Sequence, residues 1–325
     1  MRLFKMIVLL CVALACVLVG ASPKAREAFG SIEGDALIPI EISARWQLGS
    51  RYVLRTDLDQ DASVPSLTLP WPSIQHVRLG QDFMILVLPA RFDGSRDLQI
   101  DFTAETLGLV KDNRVVIDFA SRRPPREDFG NGAAGMLRRL AASNLRVRVD
   151  PTGRTREVED YSGFMDRITA DYPWQYQFLM RDTFSEDGFA QMIPNQGLPN
   201  KKVKVGDTWV LRSMIIMPSH GISLPIELNY VFRRWEEIGN RKFARLEFNG
   251  TLSEKYDYLG IDNLRLVGHA WYDPMMGTVV ESIARAICNL HETLDGVKIP
   301  SLIVQTASQK LLAIVPPDAA PNNPR

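Results

Sequence analysis

Cysteine is scarce in this chain, and neither sign of charge is in excess. There are 3 cysteines in 325 residues, and 38 Lys and Arg balance 38 Asp and Glu, so the formal net charge is zero. Nucleic-acid binding needs a basic stripe that neutralises phosphates, so the charge balance argues against a nucleic-acid partner. It argues equally against a polybasic membrane surface. The chain is nevertheless long enough to bury a core without disulfide or metal support.

Metal-binding and catalytic motifs are also lacking. No two histidines have the three- or four-residue spacing that lets a helix present two metal ligands; they are His76, His220, His269 and His291. No nucleophile elbow, P-loop or Cys-x-x-Cys motif occurs. Residues 130–135 match the dinucleotide fingerprint, but ten residues that include two prolines separate them from the preceding strand. We therefore predict no metal, no cofactor and no catalytic residues.

The N terminus carries a long apolar run. Arg2 and Lys5 precede uninterrupted apolar residues from Met6 to Val19, and the small residues Gly20 and Ala21 follow. This pattern is typical of a secretory signal peptide at residues 1–21, and the run is shorter than the roughly 20 residues that a membrane-spanning helix needs. We predict export to the periplasm or cell surface, with no integral membrane span after cleavage.

Cys16 offers a second interpretation of the same region, a lipid anchor. It ends a lipobox-like stretch, but Ala13 stands where such boxes have Leu, so cleavage after Ala21 is favoured. Cleavage leaves Cys288 as the single cysteine, which excludes an internal disulfide and a Cys-rich zinc site. Cys288 lies in an apolar run and is predicted to be a small buried hydrophobe.

Most of the remaining chain has the period-two alternation of β-strands. The segments 98–102 and 145–149 show it clearly, and such alternation favours an antiparallel sheet with one covered face. We predict a leader at 22–44, a first β-rich half at 45–160, a helical segment at 161–200, a second β-rich half at 201–315 and a disordered tail at 316–325. The predicted fold class is α+β, mainly antiparallel β.

The two β-rich halves resemble each other. Residues 48–56, LGSRYVLRT, align without gaps on residues 205–213, VGDTWVLRS. A turn that begins with Asp-Pro then follows a strand in each half, at Asp150 and at Asp273. Two matches in the same order indicate a diverged duplication. Such halves are expected to form one continuous curved sheet or half-barrel with an apolar concave face.

Longer motifs give a family resemblance. Residues 203–209 are VKVGDTW, and residues 268–277 are GHAWYDPMMG. Together with the segments 116–121 and 147–158, these motifs resemble a family of uncharacterised exported bacterial proteins, a domain of unknown function common in planctomycete-like bacteria. The similarity spans roughly residues 45 to 285. It implies an envelope location and a β-rich fold with a helical insert, and it carries no catalytic residues.

Tryptophans and carboxylates supply the candidate site residues. Trp71 and Trp174 stand beside prolines outside regular strands, so we predict that they are exposed and line a ligand groove, whereas tryptophans on strands pack in the core. A pair of carboxylates brought together in a cleft would support acid–base hydrolysis. The acidic candidates are Glu157, Glu159, Asp160, Glu236 and Glu237.

The predicted function is that of an exported, non-catalytic envelope protein. It would bind an apolar or lipid-like ligand, or an envelope protein as partner, through the concave face. Two alternatives stay open, a periplasmic hydrolase that uses paired carboxylates and a structural protein of the cell envelope. A carboxylate pair in a cleft would favour the hydrolase, and a broad apolar surface patch would favour the structural role.

Overall fold

The computed structural model describes residues 38–64, 72–128, 134–174, 177, 181, 184–217, 222–254, 260–294 and 297–317. The predicted signal peptide, Cys16, most of the predicted leader and residues 318–325 of the predicted tail lie outside these ranges. The protein is mostly antiparallel β, with 63% of residues in strands and 13% in helices.

The described residues form fourteen strands and three α-helices. The strands are β1 (Ile40–Ile42), β2 (Arg51–Val64), β3 (Ser73–Ala90), β4 (Arg96–Lys111), β5 (Arg114–Ala120), β6 (Asn144–Val149), β7 (Thr155–Glu159), β8 (Lys201–Val203), β9 (Thr208–Met217), β10 (Ile222–Ile238), β11 (Arg241–Leu252), β12 (Ile261–Asp273), β13 (Thr278–Leu294) and β14 (Val297–Val315). The helices are α1 (Ala134–Ala141), α2 (Tyr161–Thr169) and α3 (Glu186–Met192), and a 3₁₀ turn covers Pro125–Asp128.

Twelve of these strands form one antiparallel sheet. Its order is β7-β6-β4-β3-β2-β14-β13-β12-β11-β10-β9, and β5 pairs with β4 beside this path. The sheet is curved and open, with β7 and β9 at its ends. Strands β1 and β8 pair separately, so the predicted leader contributes a short strand. The predicted fold class, with a continuous curved sheet, is confirmed.

The two halves repeat the same strand order. Strands β2-β3-β4-β6-β7 form a meander in the first half, and β9-β10-β11-β12-β13 form one in the second. The N–H of Gly49 donates to the Val87 carbonyl at 2.9 Å, and the N–H of Gly206 donates to the Phe232 carbonyl at 2.8 Å. In each half the same partner residue donates back to the residue after the glycine. The two segments aligned in the sequence therefore begin equivalent strands.

The final strand, β14, joins the halves; it lies within the predicted second β-rich half, but the sequence pattern does not mark it as a separate strand. Its residues 297–310 pair with β13 on one side, and its residues 302–315 pair with β2 on the other. The inner face of β14 carries Gln305 and Gln309, both buried, beside the apolar Ile303 and Ala307. Since buried glutamines break the expected alternation of apolar and polar residues, the period-two pattern is weak here.

The helices cover the inner face of the first half. Helix α2 presents Phe164 and Ile168, one turn apart, to the core. Helix α3 begins after Ser185, whose hydroxyl accepts from the Gly188 N–H at 3.1 Å as an N-cap. The Phe164 and Phe189 rings meet edge-to-face at 5.3 Å, so the helices pack on each other as well as on the sheet. The helices predicted within residues 161–200 are therefore present, and those in the described ranges pack mainly on the first half of the sheet, with α3 also reaching β9.

Candidate functional site

A cavity of about 110 Å³ lies on the inner face of the second half. We call it the central cavity. Its sheet side is formed by strands β9 to β14, and its other side is residues 193–198, which we call the strap segment. The cavity therefore lies beside the part of the inner face on which the described helices mainly pack.

The lining of the central cavity is mostly apolar and is uncharged in the described residues. None of the described residues that line it is Lys, Arg, His, Asp or Glu. Small side chains on β12 and β13 leave room beside larger ones on β10 and β11. The main lining residues of these four strands are Leu228, Leu246, Phe248, Ala270, Ala284 and Ala286.

Three consecutive residues anchor the strap segment to three different parts of the sheet. The Asn195 Oδ1 accepts from the Val279 N–H of β13 at 2.8 Å. The Gln196 Oε1 accepts from the Thr155 N–H of β7 at 3.0 Å. The Gly197 carbonyl accepts from the indole N–H of Trp209 on β9 at 2.9 Å. The strap segment thus bridges the two end strands of the open sheet and closes the cavity between them.

A second, larger space lies beside the central cavity, where β7 and β9 approach each other. This edge cleft has a volume of about 550 Å³. Arg154, Thr155, Asp187 and Ala190 line it on the side of β7 and α3, and residues 210–214 line it on the side of β9. Four residues line both spaces: Gln196, Leu211, Ser213 and Met214. The edge cleft is therefore the natural route from solvent to the central cavity.

The positive charges of the edge cleft are partly offset by acids. Arg154 and Arg212 are exposed and form no ion pair with any residue in the described ranges. Asp187 lines the same cleft, and Glu227, which does not line it, stands directly opposite Arg212 on β10. These two acids weaken the positive potential that would otherwise favour an anionic ligand.

A row of buried polar side chains crosses the inner face. Its members are direct cross-strand neighbours on five adjacent strands: Glu105, Gln81, Thr56, Gln309 and Ser282, on β4, β3, β2, β14 and β13. All five are buried, with exposed fractions between 0% and 7%. Gln309 and Ser282 also line the central cavity, so the row runs from the covered half of the sheet into the cavity.

Glu105 begins this row as a fully buried carboxyl. The Gln81 Nε2 donates to its Oε1, while its Oε2 and the Gln81 Oε1 have no hydrogen-bond partner in the described part of the chain. Burial raises the pKa of Glu105 well above its ordinary value, and the nearby charge of Asp82 raises it further, against the lowering effect of the Gln81 bond. The cavity lining does not include Glu105, so this carboxyl does not face the ligand space directly.

The predicted aromatic site is not assembled at the cavity. Trp71 lies outside the described residues. Trp174 is 71% exposed, as predicted, and it lines neither the central cavity nor the edge cleft. Its role in binding stays a prediction. Of the strand tryptophans in the described ranges, all but one are buried; Trp271 is half-buried and donates its indole N–H to Glu236 at 2.6 Å.

The candidate carboxylates are engaged by arginines. Arg148 contacts both Glu157 and Glu159 at 2.5 Å, and Arg167 contacts Asp160 at 2.9 Å. Glu237 is exposed on β10. Neither cluster lines the cavity or the cleft. No carboxylate pair of the kind that a hydrolase needs is therefore found among these residues at the described ligand space.

Glu236 is the most enclosed of these acids, with 1% of its side chain exposed. Burial opposes its charge, but hydrogen bonds from Trp271, Arg234 and Arg245 outweigh that effect and lower its pKa. A carboxylate held in the charged state by two arginines serves poorly as a general acid. The arrangement stabilises the bulge of β10 instead, where the β10–β11 register shifts.

Two further groups concern metal binding and thiol chemistry. His76 Nδ1 lies 2.8 Å from Asp61 and 3.7 Å from Asp59 on the sheet surface, while Asp59 also pairs with Arg78. The spacing of residues along one segment does not predict this group, because its members lie on two strands. The pairing of β2 with β3, which places Asp61 opposite His76, is needed to find it.

Cys288 is buried, as predicted, and burial raises the pKa of its thiol to about 11.

The length and apolarity of the helices show whether any of them could cross a membrane. None of the helices in the described ranges is both long and apolar enough to cross a membrane.

Comparison with known proteins gives structural neighbours only. No protein-family model and no curated protein match the sequence. A solved structure of lipovitellin, concerned with its lipid–protein interactions, matches 86% of this chain with 12% identity and a TM-score of 0.48. The match covers 26% of the lipovitellin chain, so this chain spans about a quarter of that protein.

Two other solved structures are similar over most of both chains. DynF from the dynemicin biosynthesis pathway of Micromonospora chersina matches 94% of this chain and 97% of its own, with 8% identity and a TM-score of 0.19. A DUF1329 family protein from Desulfovibrio piger matches 82% of this chain and 87% of its own, with 11% identity and a TM-score of 0.17. These scores assign neither a family nor a function to this chain.

Proposed function

We propose that this protein is an exported, non-catalytic carrier of an apolar, lipid-like ligand, which it holds in the central cavity. The observation that carries the proposal is an uncharged, apolar cavity on the inner face of a curved sheet, next to a cleft that opens to solvent. Ligand sites are typically concave and mostly apolar, with a few polar groups that fix orientation. The N-terminal apolar run supports action in the cell envelope.

The size of the cavity sets what it can hold. Its 110 Å³ is close to the roughly 150 Å³ of an engineered apolar cavity that binds benzene. A ring or a short hydrocarbon segment fits this space. A longer chain would extend past Leu211 and Met214 into the edge cleft, because both residues line both spaces.

Binding of an uncharged apolar dye tests this function. Phenylnaphthylamine becomes fluorescent in apolar surroundings. It has three aromatic rings, so we expect one saturable site per chain in which one ring occupies the cavity and the rest extends into the edge cleft. Ala286→Leu places extra volume in the cavity lining and should weaken dye binding about tenfold, which corresponds to ~1.4 kcal/mol. Ala313→Leu, at an exposed position of β14, is the matched control and should bind as the wild type does. No saturable binding by the wild type, or equal binding by both variants, would refute the proposal.

A further inference from the structure

The central cavity contains hydrogen-bonding groups that the protein itself does not use. Ser282 on β13 and Gln309 on β14 stand directly opposite each other, and both line the cavity. Gln305 lies on the same face of β14, four residues before Gln309, and lines the cavity too, but its Oε1 already accepts from the Gln60 Nε2 at 3.0 Å. All three side chains are neutral and buried, with exposed fractions of 7%, 6% and 4%.

The orientation of Gln309 is fixed by its one hydrogen bond. Its Nε2 donates to the Met192 carbonyl, at the end of α3, at 2.8 Å. A carbonyl oxygen only accepts, so the amide NH₂ must face Met192 and the Oε1 is turned away from it. Among the residues that the structure describes, none donates to this Oε1. Gln309 therefore offers the cavity an acceptor.

Ser282 offers the complementary group. The Ser282 hydroxyl has no hydrogen-bond partner among the described residues. It is also not among the partnerless polar atoms that are completely buried, so the hydroxyl oxygen is accessible from the cavity. Ser301, on the same inner face, differs because its hydroxyl is enclosed and does not line the cavity. Opposite residues of antiparallel strands have Cβ atoms about 4.5–5.5 Å apart, so one small polar group can reach both Ser282 and Gln309.

The lining also restricts the charge of the bound group. A charged group in this cavity would lose its hydration without meeting a counter-ion, because the described lining residues are all uncharged. A neutral hydroxyl loses less hydration free energy than a charged group does, and it can form hydrogen bonds with both Gln309 and Ser282. It can donate to the Gln309 Oε1 and accept from the Ser282 hydroxyl.

We infer that the ligand is an uncharged amphiphile that carries a hydroxyl group, bound between Ser282 and Gln309 with its hydrocarbon against Ala284 and Ala286. This inference rests on the proposed function and narrows it to long-chain or cyclic alcohols. The competing chemistry is an anionic amphiphile held at Arg154 and Arg212. Asp187, which lines the same cleft, and Glu227, directly opposite Arg212, partly offset these arginines and disfavour it.

Displacement of the bound dye by octanol, octane and octanoate tests the inference. The variant S282A/Q309L removes both groups and should weaken octanol about tenfold, the factor expected for two ordinary hydrogen bonds, while octane binds at least as tightly as before. Retained octane binding also shows that the variant is folded. Ser301→Ala removes a hydroxyl from the same face outside the cavity and should change neither ligand.

Each other outcome has a definite meaning. If S282A/Q309L weakens octanol and octane equally, or leaves octanol unchanged, the hydroxyl site is wrong while the carrier function stands. If octanoate binds more tightly than octanol and loses affinity in R154Q/R212Q, the ligand is anionic and the inference is overturned. If neither the dye nor any of the three compounds binds the wild type, the proposed function itself fails.

Discussion

Gln196 and Thr155 tie the strap segment to the β7 end of the open sheet. The Thr155 N–H, at the start of β7, donates to the Gln196 Oε1 at 3.0 Å, and the Gln196 Nε2 donates to the Gly153 carbonyl at 3.1 Å. Since Gln196 lines both the central cavity and the edge cleft, this pair of bonds closes the wall between them. The strap segment therefore borders the opening between the two spaces.

Gln196→Ala should speed release of a bound ligand. It removes both hydrogen bonds to the β7 end of the sheet, and each ordinary bond contributes about 0.5–1.5 kcal/mol. We expect the dissociation rate of phenylnaphthylamine to rise about tenfold in stopped-flow measurements. Gln99→Ala removes a glutamine bonded to Asp101 away from the cavity and should leave the rate unchanged. Equal rates in wild type and Gln196→Ala would contradict the role of the strap segment.

Glu105 should make the protein less stable as the pH rises. Its folded-state pKa is raised, so the folded protein binds a proton more tightly than the unfolded chain does. This contribution to stability is complete below the unfolded pKa of about 4.3 and is lost as the pH rises toward the folded pKa.

Glu105→Gln therefore should raise the free energy of unfolding at pH 8 by roughly 1–3 kcal/mol, the penalty of an unpaired buried polar group. Urea unfolding at pH 4 and pH 8 measures this, and the gain should shrink at the lower pH. Glu254→Gln, at an exposed position, should show no such dependence. A variant less stable than the wild type at pH 8 would contradict the assignment of Glu105 as a destabilising buried carboxyl.

Glu236 should have the opposite pH dependence. Its folded pKa is lowered, so its contribution is present above the unfolded pKa and is lost as the pH falls through the folded value. Glu236→Gln leaves the Arg234 and Arg245 charges without their partner. Because these arginine side chains are 46% and 20% exposed, water compensates part of the loss, and we expect a cost of about 1–3 kcal/mol. Thermal unfolding at pH 7 measures the loss. Glu237→Gln, at the exposed neighbour, should shift the midpoint little, and similar shifts for both variants would refute this assignment.

Cys288 should be unreactive in the folded protein. Its thiol is buried and its pKa is about 11, so little thiolate exists at pH 8 and reagents cannot reach it. A chain that begins after residue 21 has this single cysteine. We expect the thiol reagent DTNB to label it only at the rate of unfolding, and to label it at once in denaturant. Rapid labelling of the native protein would place the thiol in an accessible site.

Strands could be predicted from the sequence wherever one face of the strand is exposed to solvent and the other is buried. Leu145, Val147 and Val149 alternate with polar residues and form the buried face of β6, as the pattern predicts. Gly49 and Gly206 mark equivalent turns because their matches extend over nine aligned residues. Such strands and turns depend on residues that are close together in the sequence, and the sequence alone therefore predicts them.

The cavity could not be predicted in the same way. Its polar groups come from Ser282, Gln305 and Gln309, which resemble solvent-facing residues when each strand is considered alone. Their meeting depends on β14 entering between β2 and β13, a pairing that links residues more than 240 positions apart. The strap segment is likewise defined by contacts with three separate strands.

The position of a bound ligand tests the central claim most directly. Crystals grown with bromo-octanol would locate the bromine by its anomalous scattering. We predict one bromine site in the central cavity or at its opening to the edge cleft, with the hydroxyl density between Ser282 and Gln309. Bromine found only on the outer face of the sheet, or among helices α1 to α3, would contradict the account.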